Sequence, residues 1–215
     1  MLFRSLRVGV ALLGIRITAE QIAGLGVGPI LMIVVGVFST ILMGAALGHR
    51  LGLGKMFGIL SGGAVAICGA SAALAIATVL PDHKHKERDT ILTVVAVTTL
   101  STTAMVLYPI LVTLLGLDNV RAGLFLGGTI HDVAQVVGAG YMISAKTGDI
   151  ATYVKLLRVA TLIPAVLLIS ILLRRSADRR SSGGSLPKLP LFLAGFAALV
   201  ALNSIVPVQI GRAHV

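Results

Sequence analysis

Residues 30–48 read ILMIVVGVFSTILMGAALG, nineteen residues without a charge. As a helix, such a run is long enough to cross a hydrocarbon core of roughly 30 Å, which takes about 20 apolar residues. The run is apolar on every face. It is therefore neither the striped pattern of a helix lying on a soluble core nor the strict alternation of a barrel strand. Comparable runs place membrane segments at 2–16, 30–48, 58–80, 90–115, 122–144, 153–173 and 190–208. The expected fold class is all-α: a polytopic membrane protein of about seven segments, forming one transmembrane domain over 1–209. Only 12% of the chain is charged, where a soluble domain carries about a quarter.

The net charge of +10 does not point to nucleic acid, because the basic residues are scattered between the apolar runs. Basic loops beside membrane helices follow from the positive-inside rule, so the expected partner is the lipid bilayer. The most basic linker, RRSADRRSSGGSLPKLP (174–190), is expected on the cytoplasmic side of a cell (inner) membrane. A single cysteine, Cys68, excludes an internal disulfide framework and a CxxC metal pair. The sequence has no P-loop and no HExxH, and Gly69-Ala-Ser-Ala72 lacks the final glycine of a hydrolase elbow. No enzyme activity and no cofactor is expected. The last six residues, IGRAHV (210–215), match one reading frame of a common sequencing adapter and are set aside as a non-native scar.

Two segments are unusual and alike. LGLGKMFGILSGGA (51–64) and LGLDNVRAGLFLGGT (115–129) share an LGL opening, a later glycine and a Gly-Gly pair. Glycine-interrupted helices that recur in a chain mark substrate sites in transporters; chance recurrence among 25 glycines is the alternative. The 58–80 and 122–144 spans are therefore expected to be broken or re-entrant.

The second of them carries TIHDVAQVVGAG (129–140). His131 and Gln135 lie four apart and share a helix face, and Asp132 lies three before Gln135. Ionisable groups inside a bilayer are costly and mark binding or proton-handling sites by default; the alternative is a helix end meeting headgroup water. Gly127-Gly128, and likewise Gly62-Gly63, would expose backbone N–H groups to cradle an anion at a half-helix N-terminus. An acid there competes with an anion unless protonated, while a protonated histidine assists. Asp132 and His131 thus suggest proton-coupled handling of a small anion, or a cation site.

On the 58–80 span, Ser61, Ala64, Cys68, Ser71, Ala75 and Thr78 recur at three- and four-residue intervals. That face either lines a pathway, through Ser61, Cys68 and Ser71, or packs closely against another helix. Arg16 faces an anion or snorkels to the interface. Lys155 and Arg158 read as interfacial anchors, and the Thr98–Thr103 run as bonding its own helix backbone.

LLGIRITAEQI (12–22), AICGASAALA (66–75) and above all GGTIHDVAQVVGAGYMIS (127–144) resemble the YeiH-like family of proposed sulfate exporters, over nearly the whole chain. That family often carries Glu where Asp132 stands. The resemblance implies an inner-membrane secondary carrier that exports a small oxyanion (sulfate, sulfite or a relative), coupled to an H+ or Na+ gradient. It also implies a fold similar to the broken-helix carrier and antiporter superfamily. Family members have further helices on both sides, so the chain resembles an internal fragment; homo-oligomerisation is left open. Two other readings stand beside this one: a cation/proton antiporter using Asp132, and a non-transporting membrane scaffold. Oxyanion flux measured against sodium or proton flux separates the first from the exporter, and the second turns on whether the two polar segments meet around a solvated cavity.

Overall fold

A computed structural model describes residues 27–178, and among these residues every regular element is a helix. The segments 2–16 and 190–208, Arg16, the linker beyond residue 178 and the 210–215 tail lie outside the described residues. The elements are α1 (Val27–Arg50), α2 (Lys55–Ala66), α3 (Ala70–Val79), α4 (Lys86–Leu114), α5 (Asn119–Thr129), α6 (Val133–Tyr141), α7 (Ala145–Ala160) and α8 (Leu162–Asp178).

Three stretches are long and apolar enough to cross a membrane: α1, α4, and Ala145–Leu173, which runs through α7 into α8. They contain or overlap the expected 30–48, 90–115 and 153–173 segments. The third begins at Ala145 because Ser144 caps it, its Oγ accepting from the Thr147 N–H at 3.0 Å. The cap carries the helix two turns outside the apolar run.

Each of the two unusual segments is a pair of short helices. The chain breaks at 67–69 between α2 and α3, and at 130–132 between α5 and α6. At the first break, Ile67 N–H bonds the Gly63 carbonyl and Gly69 N–H bonds the Ala64 carbonyl, with Gly69 at φ +66°. With ψ −121°, Gly69 holds a backbone conformation that glycine reaches without steric cost and other residues rarely adopt, and it leads directly into α3.

The recurring motif proves to be a packing device. GILSGG (58–63) and GLFLGG (123–128) each present two glycines four apart, so backbones can approach. A Cβ on Gly58 would stand 2.3 Å from the Gly44 carbonyl, and one on Gly62 3.1 Å from the Gly44 Cα. In α5, a Cβ on Gly127 would stand 2.4 Å from the Ala151 carbonyl of α7. Gly140 and Gly148 bring α6 against the same helix. α7 is thereby held against both halves of the second broken segment. Outward faces of α1 and α4 stay apolar and exposed, including Leu31, Val35, Leu42, Ile91, Val95 and Leu107. Lipid or further helices cover such faces in a membrane protein.

Candidate functional site

Asp132 is the N-cap of α6. Its Oδ1 accepts from the Ala134 N–H at 2.9 Å and the Gln135 N–H at 3.2 Å. The side chain is exposed rather than enclosed. Asp132-x-x-Gln135 has the spacing of a capping box, in which the later residue reaches back to the cap N–H. Here Ser101 of α4 takes that part: its Oγ accepts from the N–H of Asp132 at 3.2 Å and of His131 at 3.1 Å. The same hydroxyl donates to Gln135 Oε1, while Gln135 Nε2 donates to Thr102 Oγ1 at 3.0 Å. Thr98, Thr99, Thr102 and Thr103 do bond their own helix. Ser101 does not, and sequence reasoning missed its role.

His131 lies between Asp132 and the first break. A Cβ on Gly69 would come within 3.3 Å of the His131 Cβ, so the two breaks touch. The ring is half-buried, and its Nδ1 is buried without a hydrogen-bond partner among the described residues. Gly69 is thus constrained twice, by a φ of +66° and by this neighbour. Gly69→Ala is expected to destabilise the protein by about 1–3 kcal/mol, the usual cost of holding a non-glycine residue in such a conformation. Thermal unfolding in detergent checks this.

The larger surprise is α7. Lys155 and Arg158 are buried, not interfacial, and that expectation is corrected. They lie three apart on one helical face, and they reach the carbonyl ends of both half-helices. Lys155 Nζ donates to the Ile67 carbonyl at 2.7 Å and the Ile130 carbonyl at 3.1 Å. Arg158 Nε and Nη2 donate to the Ala66 carbonyl at 3.0 and 2.7 Å, and Nη2 also to Val65 at 2.9 Å. Its Nη1 donates to Gly128 at 2.6 Å and, more weakly, to Gly127 at 3.4 Å. The last four carbonyls of a helix have no partner within it and carry partial negative charge, so cations are favoured there.

This reverses the expected role of the glycine pairs. Gly127 and Gly128 close α5 rather than precede a half-helix, and they offer carbonyls to a cation instead of N–H groups to an anion. Gly62 and Gly63 lie within α2, packed against α1 and Ile76. Nor does one face run through 61–78, because the break interrupts the helical phase. Ser61 donates to the Phe57 carbonyl at 2.9 Å, Cys68 is buried in the apolar core, and Ser71 lies in the first turn of α3.

A cavity of about 380 Å³ opens beside the breaks, lined by Thr40, Tyr108, Gly128, Thr129, His131 and Arg158 together with apolar side chains of α1. Ser61, Cys68, Ser71, Asp132 and Gln135 are not among its lining residues. Among the described residues, no group of three His, Cys, Asp or Glu side chains is placed to hold a metal ion.

The family model described as conserved hypothetical protein 698 matches residues 3–212. The chain belongs to this family. It is 54% identical over 203 residues to a UPF0324 membrane protein of Chlorobaculum tepidum, covering 93% of this chain and 56% of that one. It is also 54% identical over 201 residues to the UPF0324 membrane protein TauZ of Paracoccus pantotrophus, covering 93% and 60%. A UPF0324 membrane protein of Rhizobium meliloti is 51% identical over 206 residues, covering 94% and 60%. The chain therefore spans 56–60% of the length of these relatives. No solved structure matches it. The family resemblance expected from the sequence holds, and the UPF0324 chain described here is a helical membrane protein.

Proposed function

We propose that the chain is the anion-handling core of a secondary carrier that moves a small oxyanion, sulfate, sulfite or a relative, on an ion gradient. One observation carries this reading: Lys155 and Arg158 are buried in a membrane-capable stretch, Arg158 lining the cavity, and neither makes an ion pair with a carboxylate among the described residues. Buried unpaired charge is expensive in a membrane and marks a substrate or ion path. Two half-helix C-termini supply roughly half a negative charge each. With the Asp132 carboxylate offset by the half-helix N-termini of α3 and α6, the two cations leave a positive surplus of roughly one charge beside His131 and the cavity. Such a field favours an anion.

On this reading, α2/α3 and α5/α6 are discontinuous membrane segments of a seven-segment carrier core. The fold would then be like that of the broken-helix carriers, with the 174–190 linker cytoplasmic in an inner membrane. Arg16 would join the site from outside the described residues, and Gln135 and Ser101 would hold the His131–Asp132 turn. H+ or Na+ would drive the cycle, with Asp132 as its ion-handling group. The exposure of Asp132 beside the second break also supports the rival cation/proton antiporter, which uses Asp132 alone. The scaffold reading is disfavoured because the two polar segments touch beside a cavity.

Proteoliposomes carrying a full-length relative, and separately this chain, test the proposal with sulfite and sulfate flux measured against sodium and proton flux. Saturable oxyanion flux is expected. Sodium–proton exchange without oxyanion flux would establish the antiporter instead. Asp132→Asn isolates the coupling, because asparagine caps a helix as well as aspartate does. The variant should fold and transport, with a flattened pH dependence. An unchanged pH profile would leave Asp132 a helix cap and nothing more.

A further inference from the structure

Arg158 alone already satisfies the carbonyl ends of α2 and α5, through Val65, Ala66, Gly127 and Gly128. Lys155 does something different. Its ammonium sits between the two breaks, where the C-cap carbonyls of Ile67 and Ile130 converge on one point from separate helices. The side chain is wholly buried, and it is the largest fully buried side chain among the described residues. Among the described residues no carboxylate bonds it; the titratable groups near enough to act on it are Arg158 on its own helix, Cys68 at the first break and Asp132 across the second. Carbonyl oxygens from unwound half-helix ends are the ligands with which discontinuous helices hold Na+. An ammonium carries the same charge and occupies the same centre, but it is tied to the chain.

We propose that the Lys155 ammonium is a tethered cation filling a monovalent-cation site made by the Ile67 and Ile130 carbonyls. Freed of its occupant, that site takes Na+ or ammonium. Where the carrier reading also holds, Lys155 makes the crossing of the breaks independent of free alkali cation, and so sets coupling-ion specificity. The site itself rests on geometry alone.

Lys155→Ala in the full chain removes the ammonium and leaves both carbonyls facing the vacated space. Thermal unfolding is then followed in sodium, ammonium and choline chlorides at equal ionic strength. The parent's midpoint should be indifferent to the cation. That of Lys155→Ala should lie well below the parent's in choline and rise saturably, by several degrees, in sodium or ammonium. An equal response to all three salts overturns the proposal. Should Lys155→Ala be too unstable to purify in choline, recovery of monodisperse protein becomes the readout: rescue by sodium or ammonium supports the site, and rescue by none overturns it. Lys155→Met fills the volume without charge. It should be less stable than the parent and blind to the cation, and parent-like stability would show that the carbonyls need no cation. Transport is judged separately: a cation-dependent midpoint in a chain without oxyanion flux keeps this site and removes the carrier.

Discussion

Arg158→Ala is expected to be among the most destabilising single side-chain truncations in the described structure. The guanidinium bonds four carbonyls drawn from two helices, and its removal takes away the side chain that ties those helix ends together. Breaking a buried charged network by deleting one partner costs about 3–5 kcal/mol. For a domain of this size that lowers the unfolding midpoint by roughly 10 °C. Arg158→Lys should recover only a small part, because a compact ammonium cannot reach all four of the Val65, Ala66, Gly127 and Gly128 carbonyls that the planar fork serves. The check is thermal unfolding of the three proteins in one detergent, with hydrogen exchange at the ends of α2 and α5. Both ends should exchange faster together in Arg158→Ala. If only one end loosens, or the midpoint falls by no more than a degree or two, the guanidinium is not the joint between the breaks.

The class, the long helices and both interruptions were legible because they depend on local features: charge-free length and glycine placement. The meeting of the two polar segments was also expected, as the check on the scaffold reading. What could not be read was which side of each break its glycines occupy. Gly127-Gly128 marks an interruption equally well before or after it, yet the two placements offer opposite charge, N–H or carbonyl. Lys155 and Arg158 were misread for a related reason. Placed near the start of a 153–173 segment they resemble anchors, but the Ser144 cap begins α7 at Ala145 and moves both to the interior. That signal stood in the sequence as a serine before a helical run. Ser101 was hidden by its threonine neighbours, which bond their own backbone as expected, whereas its partners lie thirty or more residues away.

Gly58→Val is expected to disrupt the fold as severely as the loss of Arg158, by a different route. GAALG (44–48) on α1 and GILSG (58–62) on α2 are two glycine pairs of equal spacing, packed backbone to backbone. A single Cβ on Gly58 would overlap the Gly44 carbonyl at 2.3 Å and the Ala45 Cα at 3.0 Å. Neither neighbour is the end of a flexible side chain, so the helices themselves must part. Overpacking in a core costs about 1–3 kcal/mol when side chains can yield, and here they cannot, which puts even Gly58→Ala at the upper end. Parting the helices would also drag the Val65–Ile67 carbonyls from Arg158 and Lys155, which ride on the opposite side of the break. Gly36→Ala on α1 is the internal control, since nothing among the described residues lies within 4 Å of its added Cβ. It should be neutral or stabilising by up to about 1 kcal/mol, the helix preference of alanine over glycine. Unfolding midpoints ordered Gly36→Ala, then Gly58→Ala, then Gly58→Val would locate the demand for glycine in the α1–α2 crossing. Equal losses at Gly36 and Gly58 would mean that the helices do not cross there.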